Sequence, residues 1–241
     1  MRKRWVCGWI VALAAALGSV GGPAHAGLIS ERQEIQMGAD AAQQIEAKYP
    51  LSKDAARTAL VQRLGERLAA VSSRPGLSWH FRVIENDEVN ALSVPGYVYV
   101  NTGLMDFVGG DRDQLAAVIA HEVAHTTRKH AARQTEKALI GSLALRFVFK
   151  DRNEIPTQLA GAAANLAILG YGRRDEFEAD RVGAEYLIQA GFDPRGMVRF
   201  FEKLRAKEGK ESKGLAVYFR THPPTSERIR KLKEHLAKRG S

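Results

Sequence analysis

Apolar residues recur with a helical period in two stretches near the start of the chain. Ile35, Ala39, Ala42 and Ile45 follow Ser30-Glu31-Arg32-Gln33, which reads as a helix start. A helix within Gly27–Ile45 is therefore predicted, broken at Tyr49-Pro50. Leu60, Val61, Leu64 and Leu68 give the inner face of a second amphipathic helix over Ser52–Val71, closed by a turn at Ser72–Gly76. The period then shortens to two. Trp79–Ile84, Asn90–Val94 and Tyr97–Asn101 read as strands, with a turn at Glu85–Glu88 and Pro95-Gly96 between the last two. Proline cannot donate to a ladder, so this break marks a sheet edge. Such an edge is either protected or open to an extended peptide added as a further strand.

Thr102-Gly103 and Gly109-Gly110 bracket a helical turn at Leu104–Phe107. Asp111 or Asp113 then caps a helix over Gln114–His130 that is apolar nearly all round, and hence buried. Ala138–Phe149 and the uncharged Ile155–Gly172 are too short or too polar for a bilayer span. They read as buried or amphipathic helices beside the site, the second also as a flap or membrane-surface contact. A further helix runs from Glu176 into Val182, Ala184, Tyr186 and Leu187, and the last covers Ser226–Lys238 after the stiff turn Thr221-His222-Pro223-Pro224. The pattern predicts an α+β fold, mainly helical, with a small antiparallel sheet.

Composition changes the picture at one end only. With 45% hydrophobic and 26% charged residues, the 241-residue chain is ordinary for a globular protein. Arg2, Lys3 and Arg4 precede an uncharged run, Trp5–Val20, and Ala24 and Ala26 form an A-x-A site. This reads as a signal peptide, residues 1–26, with cleavage after Ala26 and export to the periplasm. The rival is an uncleaved anchor, for which the run is short of the roughly 18–20 residues a spanning helix needs. Cleavage would take away three cations and the only cysteine, Cys7, leaving a net charge of +6 and no thiol to misoxidise. The remainder, residues 27–241, suits one core and one domain. Its positive charge is spread out, without the Arg/aromatic interleaving of single-strand binders, so no nucleic-acid partner is expected.

The chemistry lies in His121-Glu122-Val123-Ala124-His125. Residues four apart share a helical face, so both imidazoles can meet one ion, while Glu122 reaches a water beside it. That is the donor set of a zinc hydrolase. The pentapeptide also arises by chance on surface helices, so its surroundings decide. Here they favour metal, because two histidines and a glutamate on a buried helix are costly unless paired. Downstream, Glu176 and Asp180 share a helical face. Glu176 can complete a His₂Glu set, and Asp180 can accept the far N–H of a ligating imidazole. The alternative is a solvated charge run over residues 173–181. Arg173 and Arg174 either orient Glu176 or bind substrate. His130 falls nine positions after His121, one short of the third histidine of metzincins, and is assigned a structural or surface role.

These motifs, together with Ala190-Gly191-Phe192-Asp193-Pro194 and His222-Pro223-Pro224-Thr225-Ser226-Glu227-Arg228, resemble the gluzincin metallopeptidase family that includes the CAAX prenyl protease, HtpX and BepA-like proteins. Asn90-Ala91, Pro95-Gly96 and Thr102-Gly103-Leu104-Met105 resemble the edge strand before that family's active-site helix. The resemblance runs in order from about Ser30 to the C-terminus. It implies a zincin-like metalloprotease domain that is soluble, exported and without appended repeats. It further implies one Zn²⁺ per chain on His121, His125 and Glu176, with Glu122 as catalytic base and Asp180 behind a ligating imidazole. His222 is then an oxyanion donor or a reversible extra ligand; otherwise it is a turn residue bonded to nearby backbone. The expected partners are extended polypeptides along Ala91–Gly96, drawn from unfolded or misassembled envelope proteins. A zinc-stabilised chaperone or adaptor, and a closed structural zinc site, are the alternatives.

Overall fold

The computed structural model describes residues 28–149, 170–207, 214–222 and 225–240. The expected signal peptide, and all but the last three residues of the expected helix Ile155–Gly172, lie outside the described residues; those three, 170–172, are not helical. Helix α1, Glu31–Lys48, starts at a capping box. The Ser30 hydroxyl accepts from the Gln33 amide, and the Gln33 side chain accepts from the Ser30 amide. Helix α2, Ala55–Ala70, is capped by Asp54, which accepts from the Arg57 amide at 3.0 Å.

Three strands follow: β1 His80–Ile84, β2 Ala91–Val94 and β3 Tyr97–Asn101, in the spatial order β1-β3-β2. The sheet is mixed rather than wholly antiparallel. Strands β2 and β3 form the expected antiparallel hairpin, with Ser93 opposite Val98. Strand β1 joins β3 in parallel, with Phe81 opposite Val98. The Pro95-Gly96 turn, with Gly96 at φ 85°, folds β2 onto one edge of β3. Strand β1 adds to the other edge of β3 rather than to the outer edge of β2, and it runs parallel to β3 because the chain reverses twice between them. Strand β2 is thus an edge strand, as the proline break predicts, and its outer edge carries no strand among the described residues.

One face of the sheet buries Phe81, Val98 and Val100 against α2 and the helices beyond it. The other buries Ile84, Val94 and Tyr99 against Ala41, Ala42 and Ile45 of α1. At Gly38 the α1 backbone comes so close to the hairpin turn that a Cβ would lie 2.0 Å from the Pro95 carbonyl oxygen.

Helix α3, Thr102–Val108, leads to α4, Arg112–Thr127, the central helix. The Asp111 carboxylate accepts from the Asp113 and Gln114 amides and caps α4. Helix α4 ends three residues before the predicted His130. It stops at Arg128, Lys129 turns left-handed at φ 54°, and a separate helix α5 runs from His130 to Phe149. Ala138–Phe149 is therefore part of α5. Helix α6, Arg173–Gln189, packs along α4, and Gly183 permits the approach, since a Cβ there would sit 3.2 Å from the Ala120 backbone. Helix α7, Arg195–Arg205, inserts Met197, Phe200, Phe201 and Leu204 into the core beside α4. A short helix α8, Leu215–Thr221, and a final helix α9, Thr225–Arg239, complete the described chain, with α9 lying against α6 and α7. No helix among the described residues is long and apolar enough to cross a membrane.

Candidate metal centre and active site

Helix α4 supplies two imidazoles from one face. The Nε2 atoms of His121 and His125 lie 2.9 Å apart, and both rings are buried. Helix α6 brings the Glu176 carboxylate to the same point, 3.7 Å from His121 Nε2 and 3.4 Å from His125 Nε2. The ring of His222, at the end of α8, joins them, its Nδ1 3.1 Å from Glu176 Oε2. Donor atoms of His121, His125, Glu176 and His222 all lie within 4.8 Å of one another. The outer faces of the α4 imidazoles are also engaged. His121 Nδ1 lies 3.0 Å from Asp180 Oδ1, and His125 Nδ1 lies 2.8 Å from His130 Nδ1.

The local charge pattern suits a cation. Burial holds both His121 and His125 below their ordinary pKa, which keeps the rings neutral, the state in which imidazole binds metal. Burial alone would protonate Glu176, but His222 and Arg228 outweigh it and keep the carboxylate well below its usual range. Burial opposes a charged His222, but the Glu176 carboxylate, as a charge and as a hydrogen-bond acceptor, raises its pKa. Two neutral nitrogens and an ionised carboxylate converging in a dry site make a donor set that fits zinc. A fourth nitrogen, on His222, lies within reach.

Glu122 lies beside this cluster and is 1% exposed. Its Oε2 accepts from the Ser93 hydroxyl of β2 at 2.7 Å, and its Oε1 is 3.7 Å from His222 Nε2. A narrow cleft lined by Ala91, Leu92, Ser93, Glu122, Tyr171 and His222 joins the edge of β2 to this carboxylate.

Each residue singled out in the sequence has a definite place. His121, His125, Glu176 and His222 meet at one point; Glu122 and Asp180 touch its rim. His222 faces carboxylates with its ring rather than nearby backbone, although its amide does bond to the Tyr218 carbonyl. Residues 173–181 are not a uniformly solvated run. Glu176 and Asp180 are buried while Arg173, Arg174 and Arg181 are exposed. Among the described residues the guanidinium that meets Glu176 belongs to neither Arg173 nor Arg174. It belongs to Arg228 of α9, whose Nη1 lies 2.8 Å from Glu176 Oε2. His130 is fully buried against His125, so a surface role is excluded.

Three contributors escaped the sequence reading. Arg228 appears in the quoted motif, but only the packing of α9 on α6 assigns it a partner. Ser93 carries no pattern of its own beyond lying two residues before Pro95. Tyr171 lies just before α6, and its ring stacks on His125 with centroids 3.9 Å apart. No signal in the sequence singles it out.

A helix bearing H-E-x-x-H beside an open sheet edge, with a buried glutamate from a later helix, is the architecture of a gluzincin metallopeptidase. The profile of peptidase family M48 matches residues 55–236, and the chain belongs to that family. It is 30% identical over 212 residues to the beta-barrel assembly-enhancing protease of Escherichia coli K12, covering 83% of this chain and 43% of that protein. It is 34% identical over 208 residues to the mitochondrial metalloendopeptidase OMA1 of Schizosaccharomyces pombe, covering 84% and 61%. Metalloprotease LoiP of Escherichia coli K12 is 27% identical over 224 residues, covering 88% of this chain and 84% of LoiP. The chain therefore spans less than half of the assembly-enhancing protease and most of LoiP.

Proposed function

We propose that the chain is a zinc-dependent metalloendopeptidase that cleaves extended segments of exported proteins, with unfolded or misassembled envelope proteins as the substrate class. The observation that carries this reading is the convergence of His121 Nε2, His125 Nε2 and the Glu176 carboxylate, with Glu122 set between them and the edge of β2. His121, His125 and Glu176 would hold one zinc ion per chain. Bound there, zinc supplies Lewis acidity that polarises a peptide carbonyl and acidifies water.

The side chains account for the proton movements. The Glu122 carboxylate takes a proton from the attacking water as its oxygen bonds to the carbonyl carbon, then gives that proton to the leaving amine as the C–N bond breaks. Ser93 holds the carboxylate in place by its 2.7 Å hydrogen bond. His222 donates toward the developing oxyanion through Nε2. Asp180 keeps His121 in the tautomer whose Nε2 is bare.

Substrate is held as an added strand on β2. Asn101 donates its amide to the Asn90 carbonyl, so alternation along the ladder turns the amide and carbonyl of Ala91 and Ser93 to the free edge. Recognition through backbone groups gives loose side-chain specificity, which suits unfolded polypeptides. The basic, apolar, A-x-A start of the chain supports export to the periplasm.

The test is casein cleavage with metal content measured in parallel for wild type and Glu122→Gln. The variant is expected to keep one zinc and lose cleavage by about 10²–10⁴-fold. Equal cleavage by both proteins contradicts the mechanism. A wild type that binds zinc and suppresses aggregation but never cuts supports a chaperone instead.

A further inference from the structure

His130 stands outside the proposed ligand set, yet it is fully buried with its ring against a member of that set. Its Nδ1 lies 2.8 Å from Nδ1 of His125, ring centroids 4.8 Å apart. Its Nε2 points the opposite way, 3.5 Å from Glu178 Oε2 and 3.8 Å from Asp175 Oδ1. The backbone builds this contact. Helix α4 ends at Arg128, Lys129 turns left-handed, and the first residue of α5 is swung back over His125.

Two imidazole nitrogens 2.8 Å apart share a single proton. If His130 holds it, neutral His125 must carry its own hydrogen on Nε2, and that nitrogen has no lone pair left for a metal. If His125 holds it, Nε2 of His125 is bare and faces the cluster. Neutral His130 then carries its hydrogen on Nε2, where the Glu178 and Asp175 carboxylates lie. Ionised carboxylates accept and do not donate, so Glu178 and Asp175 select the second arrangement at His130. At His125 the Glu176 carboxylate, 3.4 Å from Nε2, competes for a hydrogen there, and the 2.8 Å contact with the bare Nδ1 of His130 draws it to Nδ1 once Nε2 is given to a metal.

We propose that His130 is the positioning residue of His125: it accepts the His125 Nδ1–H and donates its Nε2–H toward Glu178, which fixes His125 as an Nε2 metal ligand. This rests on the metal reading given above. The two α4 histidines are then held differently, His121 directly by the Asp180 carboxylate and His125 through an intervening ring. His130, Asp175 and Glu178 also lie close enough together to suggest a second metal site. That position is already filled by guanidinium charge. Arg128 Nε lies 2.5 Å from Glu178, and Arg133 Nη2 lies 3.0 Å from Asp175 and 3.4 Å from Glu178.

Two measurements test the proposal. In the zinc-free wild-type chain, ¹⁵N-histidine NMR should show His130 as the Nε2–H tautomer, with its Nδ1 bare toward His125. A hydrogen on His130 Nδ1 overturns the proposal, and this needs no variant to fold. The second is zinc affinity by chelator competition for wild type, His130→Asn and His130→Leu, with the thermal midpoint of each zinc-free protein recorded alongside. The Asn side-chain oxygen occupies the position of the lost Nδ1 and accepts in its place; Leu fills the space but accepts nothing. His130→Leu should weaken zinc binding by about 10–100-fold, and His130→Asn should restore most of that loss even where the two midpoints agree. Equal weakening in both variants, or none in His130→Leu, overturns the positioning role. A wild type that binds no zinc at all would instead defeat the metal reading, while the tautomers remain readable.

Discussion

Arg228 grips Asp180 through two hydrogen bonds, Nε to Oδ2 at 2.8 Å and Nη2 to Oδ1 at 2.6 Å, with the guanidinium 1% exposed. The same guanidinium lies 2.8 Å from Glu176 through Nη1 and stacks over Phe201. A cation from α9 thus holds both buried carboxylates of α6, and the carboxylate it fixes in bidentate fashion is the one that meets His121. Burial opposes an ionised Asp180, but Arg228 outweighs that and lowers its pKa.

Removing Arg228 leaves two buried anions without their partner. Arg228→Met is expected to destabilise the zinc-free protein by about 3–5 kcal/mol, read by chemical denaturation, and to recover part of that on addition of zinc. Arg228→Lys should recover little, because a point charge cannot reproduce the forked contact.

Ser93 links the edge strand to Glu122. Ser93→Ala removes a hydrogen bond to the buried Glu122 carboxylate. The expected result is a fall in kcat of about tenfold, the equivalent of roughly 1.4 kcal/mol, with zinc content unchanged. Loss of zinc in this variant would show that Ser93 supports the metal cluster rather than the base.

Holding substrate by backbone predicts a particular sensitivity. N-methylation of a peptide substrate at an amide facing β2 should raise KM by up to about tenfold per lost hydrogen bond, whereas exchanging the side chain at the same residue should matter less. A peptide set in which only side chains matter would place recognition elsewhere.

The α4 cap makes a pH-dependent contribution. Burial alone would raise the Asp111 pKa, but Gln114 and Arg199 outweigh it and lower it from 3.8 to about 2. A depressed folded-state value stabilises above the unfolded pKa and fades as pH falls through the folded one. Asp111→Ala should therefore cost about 1 kcal/mol at pH 7, and the gap to wild type should narrow below pH 4. A gap that is constant from pH 7 to pH 3 would assign the cost to something other than the ionised cap.

Legibility in the sequence followed how locally each feature is encoded. His121, Glu122 and His125 are fixed relative to one another by helical period, as are Glu176 and Asp180, so spacing offered both groups as candidates, the second only in the light of the first. The Ser30 start of α1 was legible from local residue type, and the α4 cap only as a choice between Asp111 and Asp113. The parallel pairing of β1 was not, because it depends on whether β1 joins the β3 edge or the β2 edge of the hairpin, a choice no local pattern encodes. The break at Lys129 was hidden because no glycine or proline marks it in Thr127-Arg128-Lys129-His130, and with it the burial of His130. Arg228 and Tyr171 act through contacts between elements far apart in the chain, where no period carries information.

The central claim is that three side chains converge on one cation and leave Glu122 free for catalysis. Anomalous diffraction at the zinc edge from crystals of the wild-type chain tests it most directly. The account predicts one strong peak at about 2.0–2.2 Å from His121 Nε2, His125 Nε2 and a Glu176 oxygen, with Glu122 outside bonding distance. A peak among His130, Asp175 and Glu178 instead, or none near His121, would contradict it.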